Sequence, residues 1–151
     1  MVALPMQTNG CCLYFVRHKT DIQYTRGDCE MLDNDVILKR FDNPDELRTF
    51  DKGTFELLEI GGMTIGRATY QPGWQWSEDV GAALGELHCH VEHVGMVVSG
   101  CATAAMANGE IVEMHPGDVF YVPPSPHDSW VVGDEPYVSL HFLGAASYAQ
   151  K

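Results

Sequence analysis

Nine short apolar runs, most of them separated by Gly, Pro or Asp, recur from residue 55 to residue 142, with no long helix between them. They are residues 55–60, 63–70, 84–90, 94–99, 102–106, 111–115, 119–122, 129–132 and 137–142. Their lengths and their content of β-branched and aromatic residues are those of strands. Asn108-Gly109 tolerates the positive φ of a two-residue hairpin and so joins two of the runs tightly. Gly133-Asp134-Glu135-Pro136 is a second turn. Strands this closely spaced, with only turns between them, pack as an antiparallel sandwich or barrel.

The rest of the chain adds little regular structure. Asn43-Pro44-Asp45-Glu46 places a capping residue, a proline and two acids in the order of a helix start, which predicts a short helix over 43–49 ended before Gly53. Residues 1–35 mix Cys, Thr, Gln and Gly without a sustained period, and are read as an irregular arm or an edge strand. The barrel domain is expected over 36–151. A 151-residue chain that is 45% apolar, with three Trp, six Tyr and six Phe, can bury a core without disulfides.

A formal net charge of −12, with nine Lys and Arg that form no patch, argues against nucleic acid or an anionic membrane surface as partner. No run approaches the ~20 apolar residues of a membrane span. Residues 11–16 are too short for a secretory core and follow no basic segment. The five cysteines, Cys11, Cys12, Cys29, Cys89 and Cys101, form neither a CxxC pair nor an even disulfide set. Reduced thiols in a cytoplasmic protein are expected. Cys89 reads as a small buried strand side chain, with a thiolate ligand as the functional alternative.

Histidine is where chemistry enters. His88, His90 and His93 fall within six positions, and His127 follows the stiff corner Pro123-Pro124-Ser125-Pro126. On a strand Glu86, His88 and His90 share a face, with same-face neighbours ~6.6 Å apart, close enough for two of them to converge on one ion. His93 opens the next strand, on the face of Gly95 and Ser99. Ligands from two adjacent strands and one distant strand suit a single metal inside a small barrel, because imidazole is the commonest protein metal ligand.

These residues resemble the two sequence motifs of the cupin superfamily. The first motif is G-x5-H-x-H-x3,4-E-x6-G; counting back from Gly100, His93 stands at its glutamate position. Gly117 to Pro123 is similar to the G-x5-P of the second motif, and His127 to its histidine. The strings PGWQWSEDV, HVGMVVSG, PGDVFYVPP, HDSWVVGDEP and FLGAASYA extend the resemblance over about residues 41–150, to small bacterial single-domain cupins. Three positions depart from the motifs: His93 replaces Glu, Val131 replaces Asn, and Ser125 replaces Gly with the spacing to His127 one residue short. A four-residue gap before His93 makes the first ligand pair Glu86 and His88, and a two-residue gap makes it His88 and His90.

The resemblance implies an all-β fold, a single double-stranded β-helix or jelly-roll barrel, preceded here by the short helix and the arm. It implies a homodimer, and one divalent transition metal held by His88, His90, His93 and His127, with Glu86 the alternative to His90. Nitrogen ligands with at most one carboxylate suit zinc, nickel, iron, manganese or copper alike. His141 shares a face with Ser139 and is expected beside the metal or hydrogen-bonded in the barrel wall. Tyr121, Trp76 and Trp130, with Tyr70 and Trp74, line a small-molecule pocket or fill the core. Asp128 is expected to face away from the metal, and His115 to lie on the surface. Two functions stay open: a metal-binding module for a small molecule, and a metal-dependent dioxygenase, isomerase or lyase acting on a small oxygenated substrate.

Overall fold

Alternation of large apolar with small or polar residues runs through the strands and dictates which face of each turns inward. The computed structural model describes residues 36–150. The expected N-terminal arm, with Cys11, Cys12, His18 and Cys29, lies outside the described residues. Ten strands follow one another: β1 (Glu46–Phe50), β2 (Gly53–Ile60), β3 (Met63–Tyr70), β4 (His93–Ser99), β5 (Cys101–Met106), β6 (Ile111–Met114), β7 (Val119–Val122), β8 (His127–Asp128), β9 (Val131–Val132) and β10 (Tyr137–Leu143). Between β3 and β4 the chain makes a short helical segment, Ser77–Gly81 and then Ala82–Leu84.

All pairings are antiparallel and form two sheets. One has the order β1-β2-β3-β10-β4-β7; in the other β5 pairs with β6 on one side and with β8 and β9 on the other. Phe55, Leu57, Ala68, Tyr70 and Val97 from the first sheet meet Ala102, Ala104, Met114 and Val131 from the second in one buried cluster. Trp74 and Trp76 join it from the segment before the helical turns.

β10 lies at the centre of the larger sheet, and its inward residues Tyr137, Ser139 and His141 are buried. His141 is flanked by two glycines, Gly66 on β3 and Gly95 on β4. A Cβ on Gly66 would stand 2.4 Å from the Phe55 ring, and one on Gly95 equally close to Phe120 and to the Leu140 carbonyl. The absent side chains let both phenyl rings reach His141, edge-on at 5.2 and 5.6 Å.

The C-terminal turn closes the same region. The Arg48 guanidinium donates to the carbonyls of Ala145, Ala146 and Tyr148. Tyr148, so held, packs 4.7 Å from Phe55 and shares a 2.8 Å hydrogen bond with the Tyr70 hydroxyl.

Two expectations about elements need correction. Residues 43–49 form a turn and then β1, not a helix. The Asp45 carboxylate accepts the Glu59 N–H and pairs with Lys39 instead of capping a helix, and β1 zips against β2 from Glu46↔Leu57 to Phe50↔Gly53. Hairpin pairing of five residues outweighs the few tenths of a kcal/mol per residue of helix propensity. Residues 84–90 are not a strand either: one helical turn ends at Gly85, and only Cys89 pairs, in an isolated bridge to His127.

The passage from one sheet to the other depends on Gly100, between β4 and β5. Its φ is +69°, and a Cβ there would lie 2.4 Å from the Pro136 carbonyl oxygen. Gly109, in the β5–β6 turn, has φ +92° but open space around it. Gly100→Ala should therefore cost about 2–4 kcal/mol, strain and overlap together, and Gly109→Ala about 1 kcal/mol from strain alone. Urea unfolding of the two variants checks the difference; equal losses would contradict it.

Candidate metal centre

Cys89 and His127 exchange two main-chain hydrogen bonds, Cys89 N–H to His127 O at 2.8 Å and His127 N–H to Cys89 O at 3.1 Å. Residues paired in this way present their side chains to the same face. Both are buried, and His93, first residue of β4, is buried beside them. One ligand atom from each of Cys89, His93 and His127 falls within 4.8 Å of the other two. Cys89 Sγ stands 3.5 Å from His93 Nε2, and the His93 and His127 rings meet edge-on at 5.5 Å.

The expected inward face of this segment was that of Glu86, His88 and His90. The structure turns the intervening residue inward instead: Glu86 and His90 are exposed and His88 is half-buried. A phase shift of one residue moves every side chain of an extended segment to its other face, and the bridge to His127 sets that phase. Of the histidines singled out from sequence, His93 and His127 come together, His141 joins them with its ring 5.4 Å from His93, and His88 and His90 stay outside the group. Cys89 is buried, as the reading of it as a small buried side chain expects, and its neighbours His93 and His127 leave the alternative of a thiolate ligand open.

The three groups line a cavity of about 50 Å³. Trp76 and His141 line it, together with Trp74, Tyr70 and Tyr148. Trp130 is half-buried and is not among its lining residues. Tyr121 is exposed, donates its hydroxyl to Glu92 at 2.9 Å, and borders a separate groove of about 590 Å³. Ala104, Met114, Phe120 and Val122 line the cavity and the groove alike. Asp128 turns away, accepting from Gln75, Ser77 and the Ser129 N–H, and ties the chain before the helical turns to β8.

Burial decides the charges. The His93 imidazole is driven down to about 3 by burial first, and by the His141 and His127 rings next. Burial alone brings His141 down to about 4. His127 is lowered by burial too, against a raising hydrogen bond to the Ser125 carbonyl. The Cys89 thiol is lifted to about 11, again chiefly by burial. At neutral pH all three imidazoles are therefore uncharged, the form that binds metals.

Their hydrogen bonds aim them as well. His127 Nδ1 lies 2.8 Å from the Ser125 carbonyl, which can only accept, so Nδ1 carries the proton and Nε2 keeps its lone pair. The Pro-rich corner holds that carbonyl in place. His93 Nδ1, His141 Nδ1, Trp74 Nε1 and Trp76 Nε1 have no hydrogen-bond partner among the described residues, and all four residues line the same cavity. A buried polar atom left without a partner costs about 1–3 kcal/mol, and the two indole N–H groups, which only donate, are relieved by an acceptor atom and not by a cation.

The donors fit a borderline divalent metal. With metal–sulfur and metal–nitrogen bonds of 2.3 and 2.0–2.1 Å, a tetrahedral ion holds its ligand atoms roughly 3.3–3.8 Å apart. The Cys89–His93 separation already lies in that interval. One thiolate with two imidazoles favours zinc, iron, nickel or copper over the oxygen-seeking manganese.

No family model matches the sequence, and no curated protein does. Solved structures do resemble it. A protein of unknown function from Rhizobium leguminosarum bv. viciae 3841 is 19% identical over 71% of this chain and 94% of its own, with a TM-score of 0.52. An uncharacterised conserved protein with a double-stranded beta-helix domain, from Klebsiella pneumoniae subsp. pneumoniae MGH 78578, is 17% identical over 80% of this chain and 90% of its own, TM-score 0.50. A sugar phosphate isomerase from a cupin superfamily, of Silicibacter pomeroyi DSS-3, is 19% identical over 64% and 68%, TM-score 0.46. The fold is the double-stranded β-helix. No helix among the described residues is long and apolar enough to cross a membrane.

The low values of His93 and His141 have a sign that can be checked on metal-free protein. In the unfolded chain these rings take up protons near pH 6.5, and in the folded one only near 3 and 4. Folding stability present above pH 6.5 is therefore lost progressively as the pH falls through that value toward the folded ones. Nuclear magnetic resonance of the chelator-treated protein should find both rings neutral at about pH 5. Either ring titrating near 6.5 would contradict their burial.

Proposed function

From this double-stranded β-helix we propose a protein that holds one divalent transition-metal ion through Cys89, His93 and His127, with a small-molecule pocket beside it. The observation that carries the reading is the convergence of three buried ligand atoms within 4.8 Å of one another, on residues that line one cavity. His127 is oriented by Ser125, and His93 is fixed at the head of β4. Cys89 gives up its thiol proton on binding, a step that its raised pKa makes costly without a metal and that ties affinity to pH. His141 is a neighbour rather than a ligand: its Nε2 lies 3.1 Å from the Ser139 hydroxyl, and Phe55 and Phe120 hold the ring.

A specific feature favours the second reading, a metal-dependent enzyme for a small oxygenated substrate. Three protein ligands leave a coordination position open, whereas structural sites are closed by four. A bound divalent ion in such a site supplies Lewis acidity to an oxygen of the bound molecule. The residues around it exclude bulk water, and neutral His141 can offer or receive a proton at Nδ1. Four side chains shared with the 590 Å³ groove make that groove the natural approach for a molecule larger than the inner cavity.

The test is metal content by elemental analysis after stripping and reloading with zinc, compared across variants. Cys89→Ser and His127→Ala should each lose about one equivalent relative to the unsubstituted chain, while His88→Ala and His90→Ala keep it. If His88→Ala or His90→Ala loses the ion and Cys89→Ser retains it, the ligand set is wrong; if none of them changes it, there is no metal in the barrel.

A further inference from the structure

The outward face of the smaller sheet carries a second group of ligating side chains. In the β5–β6 hairpin Ala102 pairs with Met114, and both are buried. Alternation then sends Cys101 on β5, and Glu113 and His115 on and just after β6, to the opposite face. One step beyond Ala102↔Met114, Cys101 stands across from His115 and diagonal to Glu113, the reach within which cross-strand side chains touch. Sulfur, nitrogen and oxygen atoms of the three lie within 4.8 Å of one another.

The surroundings hold the group together. His115 Nε2 is 3.5 Å from Glu113 Oε2. The His115 backbone is pinned by its N–H to the Asp118 carboxylate at 2.8 Å and by its carbonyl, which accepts the Asp118 N–H at 3.0 Å. Cys101 is half-buried, has no disulfide partner among the described residues, and lies in the negative field of Glu113 and Asp118. That field opposes a bare thiolate and draws a cation.

We infer that Cys101, Glu113 and His115 form a second metal site, on the outside of the barrel, for a borderline divalent cation of the zinc class. A thiolate, an imidazole and a carboxylate are zinc ligands in any combination, and three of them leave the remaining position to water. The site is independent of the buried one, since its side chains leave the sheet on the other face. Glu113 and His115 are exposed, so the cation exchanges with solvent more readily here than in the cavity.

Cobalt(II) titration of the chelator-stripped, full-length protein tests this, read by stoichiometry and by the near-ultraviolet charge-transfer band that a thiolate gives to cobalt. Cys101→Ser at a half-buried position and His115→Ala at an exposed one should each bind one equivalent fewer than the unsubstituted chain. Cys101→Ser should lose one thiolate's share of the band, and Glu113→Gln should weaken binding without abolishing it. Combining Cys101→Ser with His127→Ala should remove two equivalents if both sites exist. A loss with Cys101→Ser but none with His127→Ala would leave the outer site standing and the buried one refuted. Unchanged stoichiometry and band in Cys101→Ser would overturn the outer site.

Discussion

The two main-chain hydrogen bonds between Cys89 and His127 set the phase of a segment that has no regular strand of its own. Because the bridge extends the four-stranded sheet by a single residue, it turns one side chain of residues 86–90 fully inward, and that side chain is a thiol. His127 is the partner in the bridge and a member of the cluster, so a change of pairing at this one point moves two of the three candidate ligands together. His93 is tied to the same place through β4, whose first pair is His93↔Val122 on β7. The three groups come from three separate segments, and strand pairing alone brings them to one cavity.

Packing then decides their chemistry. Phe55, Phe120 and Tyr148 surround His141, and the glycines at 66 and 95 permit that closeness. Removing water from the rings lowers their affinity for protons and leaves neutral imidazoles, while the same desolvation keeps the thiol protonated. An apolar wall around polar atoms is unfavourable by itself. Ligation of a divalent ion would offset the desolvation of the thiolate and of the imidazole lone pairs turned toward it.

Most of the barrel was legible in the amino-acid sequence because its strands are short, alternating and punctuated. The run 63–70 matches β3, the run 119–122 matches β7, and Asn108-Gly109 turns β5 into β6. What was not legible depended on partners distant in the chain. Asn43-Pro44-Asp45-Glu46 carries every local sign of a helix start, yet Asp45 serves the Glu59 N–H 14 residues away. Of the run 129–132 only Val131–Val132 is strand, as β9, because Ser129 and Trp130 turn aside to bond Thr103 across the sheet. At the site, His93 and His127 followed from motif spacing, and His141 from alternation along β10. The choice between Cys89 and its histidine neighbours could not be made locally, since alternate residues of an extended segment are equivalent until its pairing is known.

Coordination by Cys89 is the point on which the account turns, and X-ray absorption at the metal edge measures it directly. The Cys101→Ser variant, loaded with one equivalent of zinc, removes the outer thiol from the spectrum. Ligation by Cys89, His93 and His127 should give one sulfur at about 2.3 Å and two imidazole nitrogens at about 2.0–2.1 Å, with the sulfur lost when Cys89→Ser is added. A shell of nitrogen and oxygen alone, unchanged by Cys89→Ser, would contradict it and return the metal to the histidines at 88 and 90.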